Sequence, residues 1–166
     1  WPVLFYVANW RVHKNHAKLL EAFRLLREGG VEAQLILGGK PMDDLVAKIA
    51  QHPFKKDIIV AGFIPDTELG NYYALADVYV FPSLYEGFGL PLLEAQYMGV
   101  PVAAARSTTL PEVGGDGARY FDPLDPSDIA LVVSNILADK NARDDLVAEG
   151  RKNLERFSWE KCARET

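Results

Sequence analysis

Short apolar runs alternate with amphipathic segments of helical period along the whole chain, and this alternation constrains the fold more than any single motif. The run VLFYVA (3–8) is continuous rather than alternating, the mark of a buried strand, and AQLIL (33–37), DIIVA (57–61), VYVF (78–81), PVAAA (101–105) and ARYF (118–121) read as five further strands. Between them lie helical stretches. His16–Glu28 sets Leu19, Leu20, Phe23 and Leu26 on one face and ends at Gly29-Gly30. Asp43–Gln51, 66–76 and 90–98 follow, with Asp66 read as a helix cap, and 127–138 and 142–157 close the pattern. Strand–helix alternation requires a parallel sheet with helices on both faces and right-handed crossovers. Six strands in this rhythm suit a doubly wound, Rossmann-like α/β sheet of order 3-2-1-4-5-6. The 166 residues suit a single domain, and a chain that opens directly on a strand reads as a domain taken from a longer protein.

In that order strands 1 and 4 flank the switch point, so the loops 9–15 and 82–89 face the crevice at their carboxyl ends. In the second loop, Gly87 and Gly89 permit positive φ and close approach of a ligand. The amides of Phe88, Gly89 and Leu90 lie at a helix N-terminus, which favours anions and polar oxygens. Glu86 and Glu94 stand out in otherwise apolar surroundings, where a carboxylate is costly unless paired. Glu94 is either an ordinary first-turn glutamate favoured by the helix dipole or, if buried, an acceptor for a diol such as ribose. In the first loop, NWRVHKN, Lys14 precedes a helix that Asn15 would cap. A cation there is disfavoured by the dipole unless an anion such as phosphate is shared, and Arg11 adds charge. His13 and His16 lack a third ligand nearby and read as surface or supporting residues rather than metal ligands.

Several classes of function are excluded. A net charge of −5 argues against a general nucleic-acid or anionic-membrane surface. No apolar run approaches the ~20 residues of a bilayer span, and no signal-peptide pattern is present. The single cysteine, Cys162, excludes an internal disulfide and fits a reducing, cytoplasmic compartment. There is no G-x-x-x-x-G-K-[ST], and Gly87-Phe88-Gly89 begins a G-x-G-x-x-G whose third glycine would fall at Leu92. Asp43, Asp44, Asp125 and Asp128 read as caps rather than a phospho-acceptor pocket. No metal site, cofactor motif or nucleophile–base pair is evident.

Glu-Gly-Phe-Gly-Leu-Pro-Leu-Leu-Glu-Ala, from Glu86 to Ala95, resembles the E-x7-E signature of retaining GT-B glycosyltransferases, the group 1 family. The likeness extends over FYVANWRVHKNHAKLLEAF (5–23), VAGFIPDTEL (60–69), residues 74–102, STTLPEVGGDGARYFDPLD (107–125) and FSWEKCA (157–163). It implies the C-terminal, nucleotide-sugar-binding half of a two-domain enzyme. Lys14 would contact the diphosphate, backbone around Phe63 and Ile64 the base, and Glu94 the ribose. Glu86, beside Gly87, and the amides of Phe88, Gly89 and Leu90 would contact the sugar. Many relatives have glycine and arginine where this chain has Ala8 and Asn9, so a phosphate contact is either missing or supplied by Arg11. The resemblance thus implies binding of a UDP-, GDP- or ADP-linked sugar for metal-independent transfer, needing no cofactor. The acceptor stays unknown, and peripheral membrane contact, where it occurs, falls to the missing half. Alone, the domain is expected to bind without turnover. A nucleotide-binding regulatory module would share many of these features.

Overall fold

The computed structural model describes residues 1–158, so the segment of the FSWEKCA match from Trp159 onward, with Cys162, lies outside it. Six strands occur among the described residues: β1 (Val3–Val7), β2 (Gln34–Gly38), β3 (Ile58–Gly62), β4 (Val78–Phe81), β5 (Val102–Ala105) and β6 (Ala118–Phe121). Every pairing is parallel, in the order β3-β2-β1-β4-β5-β6, as the sequence predicts. The central strands are continuous apolar runs because helices cover both faces of the sheet. Phe5, Tyr6, Tyr79 and Phe81 are almost fully buried, and β5 is wholly so. Each such aliphatic or phenylalanine side chain contributes about 1.5–3 kcal/mol by leaving water.

The helices are α1 (His16–Glu28), α2 (Asp43–Gln51), α3 (Asp66–Leu75), α4 (Leu90–Tyr97), α5 (Leu110–Gly114), α6 (Pro126–Ala138) and α7 (Lys140–Leu154). α1 packs against α6, and α4 against α5 and α7, two groups that suit opposite faces of a doubly wound sheet. Among the described residues no helix is long and apolar enough to cross a membrane.

The predicted caps fare unevenly. Asp125 caps α6 by accepting the Ser127 amide at 2.8 Å. Asp128 instead accepts the Asp122 amide, tying the strand exit to the first turn of α6. Asp43, Asp44 and Asp66 lie inside their helices' first turns, after Met42 and Pro65, and serve the dipole rather than the cap. Asn15 does not cap α1 with its side chain either. Its backbone is left-handed, at φ 60°, and its carboxamide donates to the carbonyls of Pro82 and Pro123 at 3.0 and 2.8 Å. The short α5 escaped the sequence reading, since five residues carry too little periodicity to register.

Candidate functional site

The sheet order sets β1 between β2 and β4, and β5 beside β4, so three loops gather at one edge. Loop 9–15 leaves β1, loop 82–89 leaves β4, and loop 106–109 leaves β5. Backbone and buried hydroxyls stitch them together. The Leu84 amide donates to the His13 carbonyl at 2.8 Å. The Tyr6 hydroxyl donates to the Lys14 carbonyl at 3.0 Å and lies 3.1 Å from Ser83 Oγ, which is fully buried. Ser107 Oγ donates to the Ser83 carbonyl at 2.7 Å.

Lys14 and Glu86, 72 positions apart, meet here: Lys14 Nζ lies 2.6 Å from Glu86 Oε1. Both side chains are largely buried, at 19% and 12% exposure. A charge-assisted bond of this length in a partly desolvated place is strong for a single contact. Glu86 is held from behind as well. Its amide donates to Thr108 Oγ1, and the Thr108 and Thr109 hydroxyls donate to its carbonyl, all at 3.2 Å. Thr108 does this at φ 44°, a conformation a β-branched residue adopts only under constraint. Sequence reading missed both threonines, although the topology that sets β5 beside β4 could have found them.

The turn from β4 into α4 uses its glycines unequally. Gly89 has φ +95°, and a Cβ there would stand 2.7 Å from Leu110 Cδ2. Gly87 is not left-handed, and a Cβ there would meet nothing within 4 Å, so this glycine keeps space open rather than enabling a turn. The expectation of positive φ therefore holds for Gly89 alone.

Glu94 sits one turn into α4, beyond the first turn, and is exposed. Neither the dipole-favoured first-turn reading nor the burial on which the diol reading rested is met, and the ribose role is left to the family resemblance. Its Oε2 accepts the Tyr73 hydroxyl at 2.9 Å. Together with Asp66, Tyr73, Phe88, Leu90 and Met98 it lines a cavity of about 1010 Å³ between α3 and α4. Phe88 meets Phe157 edge-on at 5.8 Å on the same wall. The structure thus forms two clusters: Lys14 with Glu86, and Phe88 and Leu90 with Glu94. Asn9 and Arg11 are exposed in the first loop. Phe63 is 81% exposed past the end of β3, while Ile64 is buried; neither lines the cavity.

Of the two readings of His16, surface or supporting residue, the structure excludes the surface one. The residue is 1% exposed, with its ring 4.9 Å from that of Tyr6 and 4.8 Å from that of Trp10. Neither ring nitrogen has a hydrogen-bond partner among the described residues. Burial, and next the charge of Lys14, lower its pKa to about 4, so it is a neutral aromatic plug under the first loop.

Six parallel strands in this order, with polar loops gathered at the carboxyl ends of β1, β4 and β5, define a Rossmann-like domain with its candidate site at the switch point. Residues 2–153 match the glycosyl transferases group 1 family, and the chain belongs to it. It is 38% identical to the O-antigen chain mannosyltransferase B of Escherichia coli over 165 residues, covering 97% of this chain and 43% of that protein. It is 36% identical to the MMP alpha-(1->4)-mannosyltransferase of Mycolicibacterium hassiacum, covering 92% and 38% respectively. A sucrose-phosphate synthase from Thermosynechococcus elongatus superposes with a TM-score of 0.88 at 26% identity, over 99% of this chain and 43% of that one. The chain therefore spans less than half the length of these relatives.

Proposed function

We propose that this chain is the C-terminal, donor-binding domain of a two-domain, retaining, metal-independent glycosyltransferase, and that by itself it binds a nucleotide diphosphate sugar without turning it over. The observation that carries the proposal is the meeting of Lys14 and Glu86 at the carboxyl ends of β1 and β4. An ammonium and a carboxylate, paired with one another, stand where a doubly wound fold receives its ligand. The diphosphate draws Lys14 to itself, and Glu86 is released to orient the sugar through its hydroxyls. As the glycosidic bond breaks, charge gathers on the departing diphosphate, and Lys14 with the helix N-termini stabilises it. Glu94 takes the ribose hydroxyls at the cavity mouth, and backbone near Phe63 and Ile64 takes the base. The mannosyltransferases among the relatives support transfer of a hexosyl group. The remaining half of the enzyme would bring the acceptor, and the setting would be cytoplasmic.

Calorimetry with UDP, GDP and ADP, then with their sugars, tests the reading. Lys14→Ala should weaken the diphosphates about 10- to 100-fold, the loss of one charge-assisted contact, and leave nucleosides nearly unaffected. Equal losses for both sink the assignment of Lys14. Indifference to the attached sugar would favour a nucleotide-binding regulatory module instead.

A further inference from the structure

Glu94 has a partner that nothing in its own motif announces. Tyr73, near the end of α3, is 1% exposed. Its ring is fixed edge-on against Phe5 at 5.3 Å and tilted against Tyr79 at 5.4 Å. Its hydroxyl reaches out of this aromatic cluster to two acceptors, Glu94 Oε2 at 2.9 Å and the Pro91 carbonyl at 3.3 Å. A phenol has one hydrogen, and the shorter bond to a charged oxygen takes it. Burial, and next the charge of Glu94, push the Tyr73 pKa well above its usual value, so the donor keeps its proton at any ordinary pH.

The consequence is mechanical. An exposed glutamate on a helix surface samples several rotamers, and a ligand that needs one of them must order it. Here a rigid, buried ring holds one oxygen of the exposed carboxylate, while both residues line the same cavity. Oε1 and the remaining lone pair of Oε2 are left free to accept, on a carboxylate restrained by this bond. We propose that Tyr73 is a positioning residue, presetting the Glu94 carboxylate for the two hydroxyls of a ribose. This rests on the ribose reading of Glu94 given above.

The test compares Tyr73→Phe, Glu94→Ala and the double variant by calorimetry, using UDP, GDP and ADP and their 2′,3′-dideoxy counterparts. Phenylalanine keeps the packing and removes only the hydroxyl. Tyr73→Phe should weaken the ribose nucleotides about five- to tenfold and leave the dideoxy ones unchanged. In a Glu94→Ala background it should cost nothing further. Equal losses for both nucleotide classes, or no loss at all, would overturn the positioning role. Glu94→Ala retaining full preference for ribose overturns the ribose reading itself, a separate failure. If Tyr73→Phe does not fold, Glu94→Asp draws the carboxylate one methylene out of the phenol's reach and leaves the core intact. Full ribose preference in that variant overturns the proposal as well.

Discussion

Glu86 and Lys14 satisfy one another at 2.6 Å, and a diphosphate must separate them before it can hold Lys14. Glu86 therefore competes with the phosphate as well as serving the sugar. Glu86→Gln removes the competing charge and loosens the hold on Lys14. It should tighten binding of bare UDP, GDP or ADP about three- to tenfold and shrink the advantage of the sugar nucleotides over them. Unchanged or weaker binding of the bare diphosphates would refute the competition. His16 supplies a second prediction. Its pKa is about 4 in the folded chain against 6.5 when unfolded, so between these values the unfolded chain binds the proton more readily. The stability it contributes is full above about pH 6.5 and falls as pH drops toward 4, by at most about 3 kcal/mol. In denaturant titrations across this window, His16→Phe should lose that part of the slope. An identical slope in the variant would mean that another group titrates.

At the scale of the element, the turn from β4 into α4 depends on one glycine rather than two. Gly89→Ala places a Cβ at φ +95° and 2.7 Å from Leu110 Cδ2, and should cost about 2–3 kcal/mol. Gly87→Ala should leave the unfolding midpoint nearly unchanged. Thermal unfolding of the two variants decides this, and equal destabilisation would show the turn to be misread. The elements themselves were legible because each strand is an apolar run bounded by glycine, proline or a polar turn, and the longer helices hold a clear period. α4 was legible for another reason: Gly89 and Pro91 frame its start, although its apolar residues run nearly all round. What sequence could not give was partnership. The meeting of Lys14 with Glu86 and the grip of Thr108 on Glu86 join residues from different loops, and only the sheet order brings those loops together. The Tyr73 hydroxyl was hidden for a further reason: an aromatic residue in a helix reads as core, and here it is core at the ring and polar at the tip.

Over the whole molecule, an all-parallel sheet leaves its polar loops at one edge and its packed strands behind them. Asn15 spans that edge. Its one amide nitrogen donates to Pro82, past β4, and to Pro123, past β6, so the exits of β1, β4 and β6 share a single fastening. Both acceptors precede or follow backbone that proline has already stiffened. Loops joined this way do not open one at a time. Moving the 9–15 loop away from this edge must break both Asn15 bonds, so it also releases the exits of β4 and β6. Local opening at this end of the sheet is therefore expected to be cooperative, with hydrogen exchange at the three strand exits showing one common opening free energy.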